Sequence, residues 1–181
     1  MQSTKKLSTR ELCYIGIFVA IIALCAQVTI PQPGGVPFSL QAWGVALAGL
    51  VLGSKNGAIA VAVYILLGAI GAPVFTGFGG GFGRILGATG GFILSFPLLA
   101  FFAGRGFSSN RMFRIKIWLA IGVTVNYVCG MLYFSLVTSL SLPVSFGYSV
   151  APFILPGIVK ILALPWIAKS IKTAMQKAKI I

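Results

Sequence analysis

Two basic side chains stand apart from the rest of the charge in this sequence. Lys160 lies in the apolar stretch FILPGIVKILALPW, and Arg84 lies in the glycine-rich stretch PVFTGFGGGFGRILGATGGF, residues 73–92. The sequence contains a single carboxylate, Glu11 beside Arg10, and no histidine. An ammonium group inside an apolar span costs several kcal/mol unless it is paired or reaches an interface. Lys160 therefore either snorkels to the outer membrane surface or takes its counter-ion from an anionic ligand. Arg84 offers the same choice between a solvated loop charge, a contact to lipid phosphate and a grip on a ligand carboxylate.

Neutral hydrogen-bonding groups accompany these cations. Asn126 and Tyr127 sit inside an apolar run, and Gln41 heads another. An amide both donates and accepts, which suits a neutral polar ligand head, but it also serves for bonds between helices. Thr76 and Thr89 bracket the glycine-rich stretch and could equally cap helices. Eight of its twenty residues are glycine, so Gly79 and Gly80 could bring backbone amides against a ligand without Cβ interference. Phe38, Trp43, Phe78 and Phe82 could supply apolar walls or anchor the membrane interface.

Much chemistry is excluded. With one acid and no histidine there is no carboxylate pair, no histidine-based triad and no ordinary zinc or iron site. Cys13, Cys25 and Cys129 lack metal or redox spacing and read as packing residues. The glycine run is not a phosphate loop, because GxxxxGK[ST] is absent. The expectation is a protein without catalytic residues, metal or cofactor, and not an enzyme. Any uphill movement of a solute would draw its energy from a partner.

The elements that must position these residues are membrane spans. Hydrophobic residues make up 58% and charged residues 8%, with a mean hydropathy of +1.02; soluble domains carry about 25% charged residues. Spans are expected at about 12–28, 40–53, 58–71, 89–104, 117–140 and 153–171. The connection IPQPGGVPFSLQ, residues 30–41, is rigid and non-helical, GSKNG at 53–57 reads as a tight turn, and 141–152 as a turn-rich loop. The first apolar run lacks a small-residue cleavage site and reads as a retained helix.

The net charge of +13 does not point to nucleic acid. Lys5, Lys6 and Arg10; Lys55; Arg105, Arg111, Arg114 and Lys116; and Lys169, Lys172, Lys177 and Lys179 all flank apolar runs. Twelve of the fourteen basic residues thus fall on one side of a six-span chain, as the positive-inside rule requires with both termini in the cytoplasm. The expected fold is an all-α integral membrane protein, one transmembrane domain over residues 1–181. Gly16 and Ala20 form a small-xxx-small pair on the first span, open to close packing within the bundle or to a docking partner.

Three blocks, IPQPGGVPFSLQ, LAGLVLGSKNGA and LLGAIGAPVFTGFGGGFGRILGATGGF, resemble the BioY family, with weaker matches in YVCG and PGIVK. That family comprises the biotin-specific substrate-binding subunits (S components) of energy-coupling factor (ECF) transporters. The resemblance implies a six-helix bundle in the bacterial cell membrane, with biotin under the loops at 30–41 and 73–92. It also implies a transmembrane coupling subunit and two cytoplasmic ATPases as partners, with Gly16 and Ala20 as the docking pair. Biotin's carboxylate would meet Lys160 or Arg84. Gln41, Asn126 and Tyr127 would serve the ureido ring. Gly79, Gly80, Phe82 and Thr89 complete the expected site. The sequence departs from the family pattern at Ala88, where proline is usual, at Ile158, where aspartate often follows PG, and at Gly79, where a polar side chain is usual. A related vitamin or precursor as ligand, or a solitary facilitator or channel, are the competing expectations.

Overall fold

The computed structural model describes residues 7–32, 34–109 and 111–177. The basic residues Lys5, Lys6 and Lys179 lie outside them.

The chain folds almost wholly as helix. α1 (Thr9–Gln27) opens with a capping box, in which Ser8 Oγ accepts from the Glu11 amide and Glu11 accepts from the Ser8 amide. The Glu11 carboxylate also accepts from Asn56 Nδ2 at 3.0 Å. The segment after α1 is not merely irregular. β1 (Thr29–Ile30) and β2 (Phe38–Ser39) pair antiparallel, making a short hairpin of the proline-rich connection.

α2 (Gln41–Leu52) and α3 (Ser54–Ala69) are separated by Gly53 alone. The expected turn at 53–57 shrinks to one residue, because Gly53 at φ +85° makes the whole corner and SKNG then starts the next helix. α4 (Phe82–Leu86) is a single helical turn inside the glycine-rich segment. α5 (Gly90–Phe107) runs three residues past its expected end, and α6 (Met112–Thr138) starts five residues early, so the basic loop between them contracts to 108–111. α7 (Leu142–Ser149) occupies a stretch expected to be loop, and α8 (Ile154–Lys177) absorbs most of the basic tail.

Among the described residues, four stretches are long and apolar enough to cross a membrane: Thr9–Gln27, Gly90–Phe107, Met112–Thr138 and Leu142–Lys177. α2 and α3 are apolar but shorter; at 1.5 Å per residue α2 rises only about 18 Å. The hairpin lies on the same chain path, where Leu40 N–H donates to the Val28 carbonyl and returns the chain to α1.

α5 is the central element, packed against α2, α3 and α6. In lipid the approach of helices is driven by close packing more than by water exclusion, and small residues provide it. A Cβ at Gly49 would run into the Ala100 backbone, so α2 and α5 touch main chain to main chain there. The outer faces carry exposed Leu24, Ile70, Phe113 and Leu136. Such a surface is an aggregation liability in water and a normal one in acyl chains. The described residues form a multi-pass membrane protein.

Candidate functional site

A cavity of about 270 Å³ lies where the start of α2, the start of α5, the middle of α6 and the start of α8 meet. That is near the lower end of small-molecule sites, roughly 300 Å³. The hairpin, residues 35–39, and the glycine-rich segment close over it. Of the residues singled out from sequence, Gln41, Arg84, Thr89, Asn126, Tyr127 and Lys160 line this cavity, as do Phe38, Trp43 and Thr76. Phe38 and Lys160, 122 positions apart in the sequence, are thus brought to one chamber.

Helical spacing explains how. Thr89, at the N-cap position of α5, and Phe92, Ile93 and Phe96 on it follow the i, i+3, i+4, i+7 rule, while Phe153 just before α8 and Pro156 and Lys160 on it fall at i, i+3 and i+7. Pro97 adds a polar feature to the first of these faces. It has no N–H to give the Ile93 carbonyl one turn back.

Each polar group has a defined state. Asn126 is buried, and its Nδ2 donates to the Phe92 carbonyl at 3.0 Å and to Ser95 Oγ at 2.7 Å. Both its donors are consumed, which fixes the amide orientation. Its Oδ1 accepts nothing among the described residues. Since no side-chain N or O atom there is both sealed and unpartnered, Oδ1 opens to the cavity. Gln41 Nε2 donates to Tyr64 Oη at 2.8 Å, and its Oε1 accepts from Thr76 Oγ1 at 3.0 Å. One N–H of Gln41 has no acceptor among the described residues. Tyr127 Oη donates to the Phe153 carbonyl at 2.8 Å and keeps its acceptor lone pairs. Phe153 stacks on Phe38, ring centroids 6.4 Å apart, which joins the hairpin to α8.

The two cations sit at different depths. Lys160 is 3% exposed, and among the described residues it makes no hydrogen bond or ion pair. Arg84, on α4, is exposed at the cavity's edge. Among the described residues no carboxylate lines the cavity, and Glu11 is engaged near the starts of α1 and α3. Ile158 is half exposed on the outer face of α8 and does not line the cavity. Two residues along a helix point to different faces; the position one turn before Lys160 is Gly157, packed on the Tyr127 ring.

Gly79, Gly80 and Phe82 do not line the cavity. Gly79 lies behind Arg84, where a Cβ would come within 2.6 Å of Arg84 Nε. Gly80 packs on the carbonyls of residues 71 and 72, and Phe82 is 65% exposed. Phe78 is exposed as well, and Ala88 lines the cavity. Thr89 stands at the start of α5 without a capping bond from its side chain. Gly16 and Ala20 are exposed on α1, and no atom of the described residues approaches the place of a Cβ at Gly16.

Two residues escaped the sequence reading. Gln27 reaches from α1 to the glycine-rich segment, donating to the Phe75 carbonyl at 3.3 Å and accepting from the Phe78 amide at 2.8 Å. Tyr64 is fully buried, packs edge-on against Phe75 and donates to the Val74 carbonyl at 2.9 Å. Each was visible as an isolated polar group in an apolar run.

Known proteins resemble this chain over most of its length. The profile of the BioY family matches residues 1–177. A relative from Pyrococcus horikoshii, named a probable biotin transporter BioY, is 40% identical over 154 residues, covering 85% of this chain and 91% of its own. A Thermotoga maritima protein named biotin transporter BioY is 38% identical over 165 residues, covering 90% and 96%. Among solved structures, the S-component for biotin from an ECF-type ABC transporter superposes with a TM-score of 0.83 at 26% identity, covering 93% of this chain and 95% of that one.

Proposed function

The chain belongs to the BioY family, a family of transporter components rather than enzymes, and on that premise we propose that it is the biotin-binding S component of an ECF-type transporter. Its six apolar helices α1, α2, α3, α5, α6 and α8 would span the membrane with both termini in the cytoplasm. The observation that carries the ligand reading is the match between the cavity's gradient of polarity and biotin itself.

Biotin has a cyclic urea at one end, an apolar ring and chain between, and a carboxylate at the other end. The deep part of the cavity offers Asn126 Oδ1 and Tyr127 Oη as acceptors and Lys160 and Gln41 as donors. A urea, with two N–H groups and one carbonyl, satisfies that mixture. A carboxylate placed there would face two acceptors. Phe38, Trp43, Phe92 and Phe96 would hold the apolar middle. The carboxylate then lies at the edge, where the Arg84 fork can bind it bidentately without complete desolvation. Among the two cations, Arg84 is the carboxylate partner and Lys160 the donor to the ureido oxygen.

Calorimetry on the detergent-solubilised chain, with biotin and with its uncharged primary amide, tests both ligand and orientation. Arg84→Ala should weaken biotin about 10- to 100-fold and remove most of the preference for acid over amide, given about 1.5–3 kcal/mol for a charged hydrogen bond. Lys160→Ala should weaken both ligands alike. Loss of the acid preference in Lys160→Ala alone reverses the orientation. Unchanged biotin affinity in both variants overturns the proposed site.

We also propose that the outward Gly16–Ala20 face of α1 docks a transmembrane coupling subunit, which two cytoplasmic ATPases drive. The chain has no phosphate loop of its own.

A further inference from the structure

A second site lies at the other end of α5. Arg105, in the last turn of α5, and Arg114, in the first turn of α6, border a groove with Ser54, Ser108, Ser109, Ile117, Trp118 and Ile121. Arg114 and Asn126 are twelve positions apart on α6, which is about 18 Å along the helix axis. The groove is therefore separate from the vitamin cavity and shares no residue with it.

Arg105 is held in place by aromatic packing. Its guanidinium carbon lies 5.5 Å from the centre of the Trp118 ring, and Trp118 in turn stacks on Phe102 at 5.9 Å with an interplanar angle of 16°. Neither arginine makes a hydrogen bond or ion pair among the described residues. Ser108 and Ser109 donate their hydroxyl protons to the Gly104 and Gly106 carbonyls, so the groove's strong free donors are the two guanidinium forks. Two forks bordering one groove that no acid lines match a phosphate group.

The rest of the groove identifies the kind of phosphate. Arg114, Ile117, Trp118 and Ile121 occupy one face of α6 at i, i+3, i+4 and i+7. This stripe carries the cation at one end and then Trp118 flanked by two exposed isoleucines, Ile117 and Ile121, 41% and 39% accessible. Trp at that boundary is the usual interfacial anchor. A soluble anion or an acidic protein segment would use the arginines and leave the isoleucines uncovered. We propose that this groove is a specific site for an anionic phospholipid, its phosphodiester on Arg105 and Arg114 and one acyl chain along Ile117 and Ile121. Ten other flanking basic residues already attract anionic lipid diffusely; the groove adds a defined geometry.

Native mass spectrometry of the full chain, released from micelles holding equal phosphatidylglycerol and phosphatidylcholine, tests this. The wild type should retain phosphatidylglycerol with a several-fold preference. Arg105→Gln with Arg114→Gln should bring retention to parity, whereas Arg111→Gln with Lys116→Gln, which removes equal charge outside the groove, should preserve it. Arg105→Lys with Arg114→Lys keeps the charge but not the fork and should lose most of the preference. Parity in the wild type, or equal loss in the two Gln pairs, overturns the proposal. Displacement of the lipid by an equal concentration of soluble glycerol phosphate also overturns it, because the apolar stripe would then contribute nothing.

Discussion

Asn126 shows how one amide can set the polarity of a cavity. Its two donors are taken by Phe92 and Ser95, so only the oxygen is left for a ligand. Asn126→Leu should therefore weaken biotin about 10-fold, the worth of one hydrogen bond plus an orphaned partner, while Ser95→Ala, which removes one support, should cost less than about 3-fold by the same measure. Titration calorimetry on both variants checks the order; a larger effect at Ser95 contradicts the assigned role. Gly79 acts at second hand. A side chain there collides with the Arg84 Nε, so Gly79→Ser should erode the preference for biotin over its amide and leave amide affinity unchanged. Equilibrium binding of the two ligands to this variant reads the difference directly. The cations were legible in the sequence because charge without a counter-ion is conspicuous in apolar text. Phe92, Ile93 and Phe96 were not, since apolar residues in a span look alike until helix geometry chooses which of them face a cavity.

The glycine-rich segment is more ordered than its composition suggests. Phe75 and Gly79 exchange backbone hydrogen bonds at 2.9 and 3.2 Å, closing a tight turn with Gly77 at φ +66° and Phe78 at φ +55°. Glycine takes a left-handed backbone at no steric cost, but phenylalanine is strained there. The Gln27 side-chain Oε1 accepts from the Phe78 amide, and its Nε2 donates to the Phe75 carbonyl. Gln27→Leu should therefore free the cover over the cavity. Two bonds at about 1 kcal/mol each predict biotin release faster by roughly 5- to 30-fold, measured by chasing labelled biotin. Unchanged release would mean that the turn holds itself. The long helices were legible from apolar length, whereas α4, α7 and the hairpin were not. One or two turns carry too little periodicity to separate from a loop, and SKNG looks like a turn until Gly53 makes the corner alone.

At the scale of the whole molecule, the proposed recognition and docking surfaces lie apart, so each should be breakable without the other. The cavity lies among α2, α5, α6 and α8, while Gly16 and Ala20 sit exposed on α1 and line no part of it. Nothing among the described residues occupies the space a Cβ at Gly16 would fill, so a larger side chain there meets no clash and buries no polar group among them. Fold and biotin affinity should then survive Gly16→Leu with Ala20→Leu, with the dissociation constant within about 2-fold of wild type, as for a surface change of under about 0.5 kcal/mol. A helix that must approach the face to backbone distance would meet two isobutyl groups, because small residues are what allow such contacts in lipid. Co-purification with the coupling subunit should be lost, and biotin uptake by cells dependent on this protein should fall by an order of magnitude or more. Normal uptake with an intact complex would place docking on another helix. Uptake by liposomes containing only this chain would remove the need for a partner at all. Loss of biotin binding in the purified double variant would show instead that α1 helps shape the cavity, which its connection to the cover through Gln27 makes the relevant control.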